Sequence, residues 1–226
     1  MEKKYEIEIK ALVGSEEKAN ALIKNLSQKD VNFRQIASNN QLNHYFIGGK
    51  REEIQKNIKS FLSEYQEKEL QEILTQASEI SVRTRKADEK VLFVLKASID
   101  DTTSSNGTAR REFEVSIASS IDKLDELLLK SGCQIQAKWS RERKEYELSD
   151  GTHLCIDKNA GYGYLVEFER VIEDFSQIEQ TKELLRKRMK DFDIEELSQE
   201  RLERMFAYYN AHWREYYGTE KVFVIE

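Results

Sequence analysis

Ionised side chains recur at every second position in segment after segment of this chain, with carboxylates paired in some and guanidinium groups in others. In Tyr5-Glu6-Ile7-Glu8-Ile9-Lys10 the charged residues alternate with apolar ones. Side chains at i, i+2 and i+4 of a strand share one face, so Glu6, Glu8 and Lys10 point one way and Tyr5, Ile7 and Ile9 the other. The same spacing groups Arg83 with Arg85, Arg110 with Glu112 and Glu114, Arg141 with Arg143, and Glu167 with Glu169. Lys96 stands in a segment, residues 91–98, that is otherwise too apolar for an exposed strand. An antiparallel sheet with one wet face also alternates, but a wet face ordinarily mixes Thr, Ser, Lys and Gln. Rows of paired carboxylates and paired guanidinium groups point instead to a charged interior cavity.

Further strands are predicted at residues 31–37, 41–47, 135–148, 153–157 and 164–172, with Ser38-Asn39-Asn40 as a turn between the first two. Ser15 reads as a helix N-cap, with Glu16 and Glu17 in the first turn. Residues 48–78 break the strand pattern. Ile54, Ile58, Phe61, Leu62 and Tyr65 line one helical face and Leu70, Ile73, Leu74 and Ala77 another, so this stretch reads as a helical insertion. Helices are also expected at 121–130, 176–191 and 198–216, a loop at 100–109, and a last edge strand at 222–225. We expect one domain over residues 1–226, with the helical insertion at 48–78 and the C-terminal helices at 176–217.

A net charge of −6 argues against a broad nucleic-acid interface, which would be basic. No segment approaches the ~18 apolar residues of a membrane-spanning helix, and the N-terminal residues carry no apolar signal core. A cytoplasmic location is the expectation. Cys133 and Cys155 lack metal-ligand spacing and read as reduced core residues. His44, His153 and His212 are too dispersed for a histidine metal centre. Gly161 and Gly163 read as turn glycines, because a strand rather than a helix follows them. The aromatic run from Phe206 to Tyr217 has near-helical spacing and reads as packing or a subunit contact, with base stacking as the alternative, and a homodimer is one expectation.

A triphosphate gives such an interior a chemical purpose. Arg and Lys from neighbouring strands bind phosphoryl oxygens, Arg bidentately. Carboxylates hold Mg²⁺ or Mn²⁺, hard ions that prefer oxygen ligands. A closed barrel suits the task, since inward positions recur along every strand.

The ordered set of motifs resembles the CYTH superfamily, the triphosphate tunnel metalloenzymes. The ExExK hallmark stands at Glu6-Ile7-Glu8-Ile9-Lys10. In order there follow Arg83-Thr84-Arg85, Leu95-Lys96, Arg110-Arg111-Glu112-Phe113-Glu114, Arg141-Glu142-Arg143 through Tyr146, Ile156-Asp157, and Gly161-Tyr162-Gly163 leading into Glu167-Phe168-Glu169. The resemblance implies an α+β fold, a closed eight-stranded antiparallel barrel with helices outside. It implies that Glu6, Glu8, Glu167 and either Glu169 or Asp157 hold one or two divalent ions, Mg²⁺ or Mn²⁺. Glu112 and Glu114 would be further ligands or would orient arginines. Lys10, Arg83, Arg85, Lys96, Arg110, Arg141 and Arg143 would line the phosphate path, with Lys10, Glu6 and Glu8 as catalytic candidates. The substrate expected is ATP, inorganic triphosphate or thiamine triphosphate. Hydrolysis is preferred to cyclisation of ATP, because no dedicated adenosine pocket can be identified in the sequence. A non-catalytic polyphosphate or nucleotide sensor is the reading from a different class.

Overall fold

The structure, a computed structural model, describes residues 4–98 and 109–225. Eight strands form it: β1 Tyr5–Leu12, β2 Arg34–Gly48, β3 Glu79–Ala87, β4 Lys90–Ser98, β5 Ala109–Ser116, β6 Cys133–Glu147, β7 His153–Asn159 and β8 Gly163–Ile172. They close into an antiparallel barrel in the order β1-β5-β4-β3-β2-β6-β7-β8. The helices are α1 Glu16–Lys29, α2 Arg51–Ile58, α3 Glu64–Gln76, α4 Ile121–Lys130, α5 Ile178–Asp191 and α6 Gln199–Tyr216. The expected α+β barrel is therefore the fold observed. No helix among the described residues is long and apolar enough to cross a membrane.

The alternation of β1 sets which way the barrel faces. Ile7 and Ile9 are wholly buried on the outer side, under helices, while Glu8 and Lys10 turn inward. Burial of each such apolar side chain contributes roughly 1.5–3 kcal/mol, and the larger share of the hydrophobic core lies outside the barrel wall. It has three parts. Ile7, Ile9 and Phe168 meet Leu26 of α1 and Leu185 of α5. Phe93, Leu95 and Phe113 meet Ile54, Leu70, Ile73 and Leu124 from α2, α3 and α4. The third part faces inward: Trp139 and Leu165, on the same strand faces as Arg141 and Glu167, meet Met205 and Tyr209 of α6 beside the barrel cavity.

The inserted helices thus cover an outer face of the barrel. Ser63 caps α3 in a reciprocal capping box with Gln66. Arg51 donates to the carbonyls of Leu74 at 2.7 Å and Ala77 at 2.9 Å, closing the far end of α3. Arg111 turns outward and donates to Glu72 at 3.1 Å, so the two adjacent arginines of β5 serve opposite faces.

Two local expectations are corrected. Ser38-Asn39-Asn40 is not a turn: β2 runs unbroken through it, opposite Lys144, Arg143 and Glu142 of β6. The continuous ladder to β6 satisfies the backbone and overrides the turn-prone composition. Residues 222–225 form no strand. Val222 makes only an isolated parallel bridge to Gly161. Of the expected loop at 100–109, residues 100–108 lie outside the described residues.

Candidate active site within the barrel

Inward-facing positions of all eight strands surround a cavity of about 750 Å³. Every residue expected to hold metal or phosphate lines it except Asp157.

Three of its carboxylates converge. Glu6, Glu8 and Glu169 each present an oxygen within 4.8 Å of the others, an arrangement that could hold a metal ion. Register explains the meeting: Glu8 lies directly opposite Glu169, and Lys10 opposite Glu167, across the β1–β8 pair. A hard divalent ion bound at ~2.1 Å leaves opposite ligands ~4.2 Å apart, so small side-chain rotations complete the set. A second group joins Cys155 to Glu167 and Glu169. Burial pushes the Cys155 thiol well above its ordinary value, against the pull of Arg143, so it stays protonated and suits a hard ion poorly.

Two lysines thread these carboxylates. Lys96 pairs with Glu6 and lies 3.4 Å from Glu112 and 3.7 Å from Glu8. Lys10 donates to Glu8 at 2.6 Å and lies 3.5 Å from Glu167. The supply of positive charge is uneven. Burial raises Glu6 to about 8, with Glu112 and Glu8 adding to the rise, because Lys96 is shared among three carboxylates. Burial likewise raises Glu169 to about 7, opposed by Arg143 and reinforced by Glu167. Burial would also raise Glu8, but Lys10 and Lys96 outweigh it and hold it at about 2. Glu167 is held well below its ordinary value by Lys10, Arg143 and Arg141 against the same burial. Carboxyls with divergent proton affinities thus share one cavity, where an added cation would favour ionisation of the raised pair.

The guanidinium groups share the same lining. Arg143 donates two 2.7 Å hydrogen bonds to Asp157 and a third to Glu167. Arg141 donates to Asp157 at 2.7 Å and to Gln41 at 2.8 Å. Arg85 is held by Asn43 and Glu114, each at 2.8 Å. Arg83 lies over the Tyr45 ring, 4.3 Å from its centre. Arg110 lies opposite Glu6 across β1–β5 and lines the cavity. Asp157 itself is fully buried, with both oxygens taken by Arg141 and Arg143. Its place is behind the arginines, not beside Glu6, Glu8 and Glu169.

Sequence reading missed the uncharged part of the lining. Tyr45 lines the cavity and Asn43 and Gln41 hold its arginines; all three share one face of the expected strand at 41–47, but they carry no charge and so did not stand out among the ionised rows. Trp139, Asn159 and Tyr162 line the cavity too, as do Leu202 and Phe206 of α6 at its mouth. Most of the aromatic run packs as expected, with the Tyr209 ring stacked 3.5 Å from Trp139. His44 belongs to a buried network outside the barrel. Its Nδ1 lies 2.7 Å from Asp125 and its Nε2 lies 2.9 Å from the Tyr217 hydroxyl, while Thr84 donates to Asp125 at 2.6 Å. That network ties α4 and the end of α6 to the strands carrying Tyr45, Arg83 and Arg85. His153 is partly exposed, 4.0 Å from Glu169.

No protein-family model and no curated protein matches the chain by sequence. The fold is shared with solved structures. The PH1819 protein of Pyrococcus horikoshii superposes with a TM-score of 0.61 at 20% identity, over 86% of this chain and 94% of that one. A conserved hypothetical protein of Pyrococcus furiosus gives 0.60 at 20% identity, over 84% and 91%. A protein of Vibrio parahaemolyticus provisionally named an adenylate cyclase gives 0.59 at 14% identity, over 90% and 98%. At these identities the likeness establishes the fold.

Proposed function

We propose that this chain is a divalent-metal-dependent enzyme of the triphosphate tunnel kind, which binds a triphosphate inside the barrel and hydrolyses it. One observation carries the reading: a convergent trio of carboxylates, Glu6, Glu8 and Glu169, shares the barrel cavity with a bank of arginines. An anion site alone has no need of the carboxylates, and a cation site alone has no need of the arginines. Carboxylate oxygens suit Mg²⁺ or Mn²⁺, and Glu6, Glu8 and Glu169 would hold the ion, with Glu167 and Glu112 close by. Bound there, the ion would supply positive charge to the phosphoryl oxygens and to the carboxylates together.

The protein's own part is positioning and electrostatics. Arg83, Arg85, Arg141 and Arg143 would bind phosphoryl oxygens and stabilise charge developing on them. Asp157 would hold the last two of these in place. Lys10 and Lys96 would bridge the carboxylates to the phosphate chain. The close contact of Lys10 with Glu8 favours this role for it over that of a base. The carboxylates would orient the attacking water by accepting its hydrogen bonds. Cyclisation of ATP is the second reading, supported by the name given to the Vibrio protein of like fold.

The test is incubation with inorganic triphosphate and ATP under Mg²⁺ or Mn²⁺, with separate assay of phosphate and cyclic AMP. Phosphate release that disappears in Glu6→Gln and Glu8→Gln supports the proposal. Cyclic AMP with pyrophosphate replaces hydrolysis by the second reading. Tight binding without turnover makes the chain a sensor.

A further inference from the structure

The two cysteines of the chain sit in opposite surroundings. Cys133 packs in the apolar cluster that holds Ile54 of α2 and Leu124 of α4, and its sulfur lies 3.7 Å from the Gly48 carbonyl oxygen. Cys155 is 1% exposed, yet it belongs to none of the three apolar clusters. Its neighbours along β7, Leu154 and Ile156, face the outer core. Alternation therefore turns Cys155 into the barrel, on one face with His153 and Asp157. Among the described residues its thiol has no hydrogen-bond partner. An apolar side chain would serve an ordinary core position. A thiol among carboxylates instead adds a soft ligand to a hard set.

Cross-strand register builds a four-residue patch around it. Cys155 lies directly opposite Glu167, and His153 directly opposite Glu169, across β7–β8. Such opposed side chains start ~5 Å apart at Cβ. Cys155, Glu167 and Glu169 each bring a ligand atom within 4.8 Å of the other two. His153 Nδ1 lies 4.0 Å from a Glu169 oxygen. Around a tetrahedral zinc ion, with nitrogen and oxygen at ~2.1 Å and sulfur at ~2.3 Å, adjacent ligand atoms stand roughly 3.3–3.6 Å apart. Modest side-chain rotations close the set to that size. Arg143 takes Oε2 of Glu167, and Oε1, 3.5 Å from Lys10, remains for the ion. His153 stands at the start of β7, away from the α6 end of that strand, and 43% of its side chain is exposed, which gives an ion a way in.

We propose that Cys155, His153, Glu167 and Glu169 form a site for a thiophilic divalent cation of the zinc type, beside the Glu6–Glu8–Glu169 trio and sharing Glu169 with it. Thiolate, imidazole and carboxylate are the three kinds of side-chain ligand that zinc takes, and a thiolate discriminates against Mg²⁺ and Mn²⁺. On binding, the S–H bond of Cys155 breaks, its electron pair forms the sulfur–metal bond, and the proton leaves to solvent. Glu169 turned toward one ion is drawn away from the other, and the two charges repel. Each ion therefore weakens the hold on its neighbour. The thiolate site stands on its own geometry, while this competition rests on the metal centre proposed above.

Co²⁺ substitutes for zinc and reports thiolate ligation by an intense near-ultraviolet charge-transfer band. Titration of wild type with Co²⁺ should produce that band, and added Zn²⁺ should abolish it. The near-isosteric Cys155→Ser and the smaller Cys155→Ala should both lose it, while Cys133→Ser keeps it. His153→Ala should weaken Co²⁺ binding by about tenfold. Because the band reports only cobalt on the thiolate, it also reads the competition. Saturating Mg²⁺ should weaken Co²⁺ binding to wild type by about tenfold, and Glu6→Gln should reduce that effect while retaining the band. The proposal is overturned if wild type gives no charge-transfer band, if the band survives in both Cys155 variants, or if saturating Mg²⁺ leaves Co²⁺ binding unaltered. Calorimetry with Mg²⁺ alone separates the two failures: a wild type that binds no Mg²⁺ loses the hard-ion centre and the competition with it, and the Co²⁺ band still decides the thiolate site.

Discussion

Replacing Asp157 by Asn removes a negative charge from beneath two arginines while almost preserving side-chain volume. The wild-type carboxylate is fully buried and accepts three hydrogen bonds of 2.7 Å, one from Arg141 and two from Arg143. Breaking a buried ion pair from one side typically costs about 3–5 kcal/mol, because the surviving charge is left buried and unpaired. Here Arg143 retains Glu167 and Arg141 retains Gln41, which places the expected loss near the bottom of that range, about 3 kcal/mol. For a chain of this size each kcal/mol lowers the melting temperature by about 2–4 °C, so the variant should melt about 6–12 °C below wild type. Circular dichroism melts read this directly. Saturating inorganic triphosphate should narrow the gap, because phosphoryl oxygens offer the stranded guanidinium groups a new anion. A variant that melts within about 2 °C of wild type and loses only its metal dependence would refute the reasoning, and would make Asp157 a metal ligand after all.

Lys96→Met leaves Glu6, Glu8 and Glu112 without their shared cation; the metal-free variant should be less stable than wild type, and Mg²⁺ should raise its melting temperature by more than it raises that of wild type. Equal metal-induced shifts would count against a cation site at these carboxylates. Burial would raise the Tyr45 phenol, but Arg83, Arg141 and Arg85 outweigh it and bring it below its ordinary value. In an absorbance titration near 295 nm, a tyrosine should therefore ionise below the usual ~10, and Tyr45→Phe should abolish that early step. A bound triphosphate offsets the same arginines, so it should move the step to higher pH, and an unmoved step would place the anion elsewhere. Gly161→Ala combines a left-handed backbone with a Cβ 2.6 Å from Tyr209. It should cost about 2–4 kcal/mol in urea unfolding, and a neutral result would show that the turn and α6 separate freely.

The charged rows were legible in the sequence because two features coincide in them. Period two identifies a strand face, and full ionisation marks that face as something other than a wet surface. Glu6, Glu8 and Lys10 illustrate both, and the apolar partners Ile7 and Ile9 correctly identify the side that meets helices. Asp157 shows where that logic ends. Its charge was visible, but its place behind Arg141 and Arg143 depends on cross-strand register between β6 and β7, which composition does not encode. Ser38-Asn39-Asn40 misled for the opposite reason, since a local turn preference yields to a long ladder formed with residues about a hundred positions away in sequence. The wall made by Trp139, Tyr162 and Asn159 gave a weaker signal: Trp139 shares a strand face with Arg141 and Arg143 and Tyr162 stands in the glycine-flanked turn, but packing is the default reading for such residues. Its members are uncharged and come from three different segments, and only the clamp of the last residues on Gly161 brings Tyr162 to the cavity.

The central claim is that a divalent ion and a triphosphate meet inside this barrel. Anomalous diffraction from crystals grown with Mn²⁺ and a methylene-bridged triphosphate analogue tests it most directly. A manganese peak is expected among Glu6, Glu8 and Glu169, with analogue density running from it toward Arg141 and Arg143. Manganese bound only outside the barrel, or analogue density that avoids the cavity, would contradict it.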